Sequence, residues 1–100
     1  MIKEVIWTSA ASQDYLEVEP SLVSVEEIDA ILGLLRLFPK MGSSATVSGR
    51  VRRVLIGRNK IMGMFYTHDG LRLIILSLLD LRQNPLTIEG NLLSRGIGNR

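Results

Sequence analysis

The stretch RVRRVLIGRNKIMGMFYTHDGLRLIILSLLDL, residues 50–81, decides the fold. Its apolar residues recur with a period of two. Residues 50–56 predict a strand, Gly57-Arg58-Asn59 a turn, and residues 60–67 a second strand. His68-Asp69-Gly70 predicts a hairpin, because Asp-Gly supplies the positive φ that tight turns require. Residues 71–81 predict a third strand. Its Leu73-Ile74-Ile75-Leu76 centre is apolar on both faces, the pattern of a strand covered on each side. Pro85 ends this segment.

Working outward, residues 41–49 are rich in Gly, Ser and Thr and read as a loop. Before them, Ser24-Val25-Glu26-Glu27 forms a capping box, followed by Ile28, Ile31, Leu32, Leu35 and Phe38 at helical spacing. Acids in the first turn and Arg36 and Lys40 near the end match the helix dipole, and Pro39 and Gly42 terminate a helix over 25–38. Residues 2–7, β-branched and aromatic, predict a strand anchored in the core by Trp7. Thr8 and Ser9 offer N-caps for a brief helix over 10–16 that Pro20 stops. Residues 86–100 show little periodicity and read as a loose tail. The expected order is strand, helix, helix, strand, strand, strand. That is an α+β domain over 1–85, with both helices on one face of a mainly antiparallel sheet. The first strand is expected beside the third strand of the meander.

Composition bounds the chemistry. The 100 residues suit one domain, 46% are apolar and 22% charged, and disorder is excluded. Without cysteine there are no disulfides, thiolate metal sites or cysteine nucleophiles. No apolar run approaches the ~20 residues of a bilayer span, and Met1-Ile2-Lys3-Glu4 opens no signal peptide, so a cytoplasmic protein without a membrane partner is expected. Charge is uneven. Residues 1–49 carry three basic side chains against seven acidic, a net −4, and residues 50–100 carry nine against three, a net +6. Eight of those nine are arginine, whose planar fork suits phosphate or carboxylate, so an anionic partner is expected.

The lone histidine, His68, reads as a solvated turn residue. Asp14, Glu17, Glu19, Glu26, Glu27 and Asp29 fit helix caps and exposed helix faces, so no metal is expected. Gly42-Ser43-Ser44 lacks the phosphate-loop pattern, and no cofactor is expected. The basic candidates are Arg50, Arg52, Arg53, Arg58, Lys60 and Arg82. Alternation sends Arg50 and Arg52 to one face and Arg53 to the other. Lys60 is expected to share a surface with Arg52, and Arg82 to reach the same concavity opposite the helices.

Several strings, in order, resemble the RelE/ParE superfamily of toxins from bacterial type II toxin–antitoxin pairs. They are Ile6-Trp7-Thr8-Ser9-Ala10-Ala11, Leu37-Phe38-Pro39-Lys40-Met41-Gly42, Arg53-Val54-Leu55-Ile56-Gly57-Arg58-Asn59, Met64-Phe65-Tyr66 and Leu79-Asp80-Leu81-Arg82-Gln83-Asn84-Pro85. The resemblance covers residues 2–85 and implies a toxin neutralised by a cognate antitoxin. In its RelE branch the target is mRNA on the ribosome, and the resemblance then implies catalytic roles for Lys60, Arg82 and Tyr66. In its ParE branch the target is DNA gyrase, and the basic residues are contacts. A relative that only binds antitoxin is the third implication. RelE-branch RNases commonly carry a tyrosine or histidine near the C-terminal end, and residues 86–100 have neither, which favours the ParE branch.

Overall fold

A computed structural model describes residues 2–83 and 85–95. Strand β1 (Glu4–Trp7) leads into helices α1 (Ser9–Glu17) and α2 (Val25–Leu37). Strands β2 (Ser43–Ser44), β3 (Arg52–Ile56), β4 (Met62–His68) and β5 (Arg72–Asp80) follow, and helix α3 (Pro85–Ser94) closes the described chain. A single 3₁₀ turn, Arg58–Lys60, joins β3 to β4. The strands form one sheet in the order β1-β5-β4-β3-β2. β1 runs parallel to β5, pairing Val5 with Leu73 and Trp7 with Ile75, and the other neighbours are antiparallel. The domain is α+β.

Local chemistry starts and stops the helices as the sequence predicts, with one exception. Thr8 caps α1 by accepting the Ala11 N–H at 3.1 Å, and Ser24 caps α2 by accepting the Glu27 N–H at 3.1 Å. The reciprocal half of the capping box is not made. The Glu27 carboxylate instead accepts the Gly57 N–H at 2.8 Å, tying the start of α2 to the turn after β3. Gly57 has a φ of 87°, and a Cβ there would stand 2.9 Å from the Leu22 carbonyl, so glycine is required.

Two cores lie on opposite faces of the sheet. On one, α1 and α2 cover Val54, Ile56, Met62, Met64, Tyr66, Leu73, Ile75 and Leu78. Trp7 packs here, its ring edge-on to Tyr15 with centroids 5.7 Å apart. Ile28 and Leu35 are the buried residues of the α2 stripe, whereas Phe38, past the last turn, is 60% exposed. On the other face Ile88 and Leu92 of α3 pack against a cluster of Val51, Phe65 and Leu79.

Two expectations are corrected. The loose tail is wrong through residue 94. Ile88 and Leu92, one helical turn apart, give α3 an apolar edge that only the second core rewards. Pro85 accordingly opens α3, a position where its missing N–H costs nothing, and β5 has already ended at Asp80. Residues 96–100 lie outside the described residues. The loop over 41–49 contains β2, whose Ser43 and Ser44 pair with Arg53 and Arg52. A two-residue polar strand has no periodicity to read. Among the described residues no helix is long and apolar enough to cross a membrane.

Leu35 is fully buried, so Leu35→Ala should cost about 2–5 kcal/mol of a total of ~5–15 kcal/mol. Arg58→Ala, in the exposed turn, should leave the urea unfolding midpoint nearly unchanged.

Candidate functional site

Register separates the basic residues that the sequence grouped. Arg52 lies opposite Tyr66 at one end of β3, and Ile56 lies opposite Met62 at the other. At ~3.3 Å per residue, the four steps between them span about 13 Å. Lys60, just beyond Ile56, does not share a surface with Arg52. Met62 pairs with Asp80, which brings the exit of β5, and Arg82 with it, to the Lys60 end. Arg53 faces the α3 side, opposite Phe65. Arg58 is exposed in the 3₁₀ turn, where Asn59 and Lys60 both take a φ of 57°, a conformation costly outside glycine. The expected concavity holding Arg52, Lys60 and Arg82 together is therefore absent.

At the Lys60 end the cations are balanced by acids. A cavity of about 430 Å³ lies between α1 and the exit of β5, lined by Asp14, Glu17, Glu19, Asp80, Arg82 and Arg95 among others. The Arg82 guanidinium grips the Asp80 carboxylate at 2.7 Å, which lowers the pKa of Asp80 and raises that of Arg82. Deeper in, Arg95 makes a two-pronged contact with Asp14 at 2.6 and 2.9 Å and also reaches the Ser77 hydroxyl. Asp14 accepts from the Leu78 N–H at 3.0 Å and from Ser77 at 3.2 Å. Hydrogen bonding to Asp14 raises the Arg95 pKa. The sequence reading missed this network. Its one legible signal was Asp14 standing three residues after Ala11, on the buried side of a short helix.

At the opposite end, Lys40, Arg50, Arg52 and His68 line a second cavity of about 360 Å³, with Ser48 and Thr67. His68 is the last residue of β4 and half-buried, not a solvated turn residue. Desolvation, then Arg52 and Lys40, lower its pKa below 6.5, against a weaker pull upward from Asp69.

Tyr66 shapes this end from beneath. Its side chain is fully buried, and its hydroxyl donates to the Pro39 carbonyl at 2.7 Å while accepting the Gly42 N–H at 3.0 Å. Burial raises its pKa, outweighing the Gly42 hydrogen bond and Arg52. A Cβ on Gly42 would meet the Tyr66 hydroxyl at 2.7 Å, so glycine alone fits. Arg52 completes the clamp, donating to the Gly42 carbonyl at 2.7 Å and the Lys40 carbonyl at 3.3 Å. The Tyr66 ring is 0% exposed, so it has no face open to a stacking partner, and its hydroxyl holds the turn at Pro39 and Gly42.

No protein-family model and no curated protein matches the chain. Among the described residues no group of His, Asp and Glu is placed to hold a metal.

Two outcomes follow from this geometry. Tyr66→Phe leaves a buried N–H and a carbonyl without their partner and should cost about 1–3 kcal/mol, with faster amide exchange at Gly42. His68 has a folded pKa below its unfolded value, so the unfolded chain binds the extra proton. Its stabilising contribution is complete above pH 6.5 and fades as pH falls through the folded pKa. His68→Gln should flatten that part of the stability profile, leaving the more acidic loss due to Asp69 and Asp80, whose pKa values are lowered by Arg72 and Arg82.

Proposed function

We propose that this protein is a growth-inhibiting toxin of the RelE/ParE type, restrained by a cognate antitoxin, which acts by binding DNA gyrase rather than by cutting RNA. One observation carries the choice between binding and cleavage. The three side chains that cleavage would need do not converge. Metal-free RNA cleavage requires one group to take a proton from the 2′-hydroxyl and another to protonate the leaving oxygen, both within hydrogen-bond reach. Tyr66 is buried with both sides of its hydroxyl engaged. Arg82 is held by Asp80, and arginine stays protonated too firmly to act as a base. Lys60 lies at the other end of the sheet from Tyr66, in the exposed 3₁₀ turn, and makes no side-chain hydrogen bond or ion pair among the described residues.

The element order supports the same family reading: a strand, two helices, then an antiparallel meander whose last strand returns beside the first. Surface chemistry supports a protein partner. An apolar groove of about 400 Å³ on the helical pair is lined by Trp7, Tyr15, Leu16, Val25, Ile28 and Leu32, with Leu16 77% exposed. An antitoxin segment would seat apolar side chains there and set carboxylates against Arg50, Arg52 or Arg58. Such contacts should weaken as salt rises.

Expressed alone, the chain should arrest growth, induce the DNA-damage response and inhibit gyrase supercoiling in vitro, and the product of an adjacent antitoxin gene should restore growth. Lys60→Ala and Arg82→Ala should reduce toxicity only in part, as lost contacts. Primer extension showing cuts in ribosome-bound codons, abolished by Arg82→Ala, would replace gyrase binding with RNA cleavage. No growth arrest would leave the antitoxin-binding relative.

A further inference from the structure

The arginines of this protein divide into two kinds. Arg72, Arg82 and Arg95 each hold a carboxylate, on Asp69, Asp80 and Asp14. Arg50 and Arg52 hold none among the described residues, nor does Lys40, and these three converge on one cavity with His68. Among the described residues the acid that acts on the His68 ring, Asp69, is already committed. Asp69 accepts from the N–H groups of Leu71 and Arg72 and pairs with the Arg72 guanidinium at 2.7 Å.

The cavity is also built rather than incidental. Each segment that brings a cation to it is tied down by its neighbours. Arg52 and Tyr66 fix the turn that carries Lys40. Thr67 donates to the Arg50 carbonyl at 2.7 Å, and Ser48 accepts the Arg50 N–H at 3.3 Å. Gathering three like charges beside an imidazole raises their mutual repulsion, and an anion relieves it. A carboxylate is satisfied by one guanidinium fork. Three cations and a ring nitrogen match an anion with three outer oxygens and close to two charges, as a phosphate monoester has.

We propose that the cavity formed by Lys40, Arg50, Arg52 and His68 is a binding site for a phosphate monoester dianion. This goes beyond the toxin reading and does not depend on it. Free phosphate, a mononucleotide and the 5′-phosphate end of a nucleic-acid strand share the required chemistry. Phe38, two residues before Lys40 and 60% exposed, is the aromatic side chain by which stacking of an attached base is probed.

The test is an NMR titration of the full chain with inorganic phosphate, followed at the His68 ring. It is run at constant ionic strength with chloride as the control and at about pH 7.5, above the second phosphate pKa of ~6. Lys40, Arg50, Arg52 and Asp69 are the charged groups around that ring. The His68 signals should shift saturably, and the His68 pKa should rise by about one unit in the phosphate-bound protein, because an adjacent dianion favours the imidazolium. Arg50→Ala and Lys40→Ala remove exposed side chains that make no hydrogen bond in the described structure. Each should weaken phosphate binding about tenfold or more without moving the unfolding midpoint. Adenosine monophosphate and matched 5′-phosphorylated and 5′-hydroxyl oligonucleotides then separate the sources. A phosphorylated strand bound more tightly than the mononucleotide, and weakened by Phe38→Ala, assigns the site to strand ends. Equal binding of the two assigns it to small phosphates. His68 signals that move no more with phosphate than with chloride, or Arg50→Ala and Lys40→Ala binding phosphate like the parent, would overturn the proposal.

Discussion

β5 carries apolar side chains on both faces, and a strand of that kind is stable only between two layers. Leu73, Ile75 and Leu78 belong to the core under α1 and α2, while Leu79 and Leu76 belong to the core under α3. Covering both faces sets the remaining architecture. The helical pair must cross from β1 over one face, and α3 must turn back over the other. At ~25 cal/mol per Å² of apolar surface removed from water, neither layer is dispensable in a domain this small.

Covering the faces leaves an edge to manage. β1 pairs with β5 only as far as Trp7 and Ile75, and Thr8 adds bonds to the Ile75 carbonyl from both its N–H and its hydroxyl. Beyond that point β5 keeps β4 on one side but has no strand on the side that β1 occupied. Asp14 takes the place of the missing strand by accepting the Leu78 N–H, and its negative charge is met by Arg95 from the far end of α3. A carboxylate that is only 9% exposed would be costly unpaired. One ion pair thus joins the first helix, the edge of the sheet and the last helix.

The two ends of the sheet differ in electrostatic character for the same structural reason. Where α1 and the exit of β5 meet, acids from the N-terminal half sit beside Arg82 and Arg95 and cancel them. Where α2 ends and β3 begins, no acid of α1 or α2 lines the cavity, and Lys40, Arg50 and Arg52 form no ion pair among the described residues. Tyr66 makes this second end rigid, since its hydroxyl secures the turn that carries Lys40. The cationic cavity at this end and the apolar groove on the helical pair are thus separate surfaces, drawn from different elements.

Local chemistry was legible in the sequence wherever a few neighbouring residues decide it. The caps at Thr8 and Ser24, the Leu35 side of α2, the Asp69-Gly70 hairpin and the alternation of Met62, Met64 and Tyr66 against Phe65 all follow from spacing and side-chain type. The double-faced pattern of β5 even announced a second layer. What supplies it stayed hidden, because α3 has too few apolar positions to register as a helix until the sheet is beneath it. Asp69–Arg72 and Asp80–Arg82 are local pairs, but tertiary structure alone decided which distant charges meet. Register placed Arg52 about 13 Å along β3 from the Lys60 end, and only the folded chain brings Asp14 to Arg95. Sequence spacing constrains neighbours along an element, whereas a site drawn from several elements depends on pairings that no local pattern encodes.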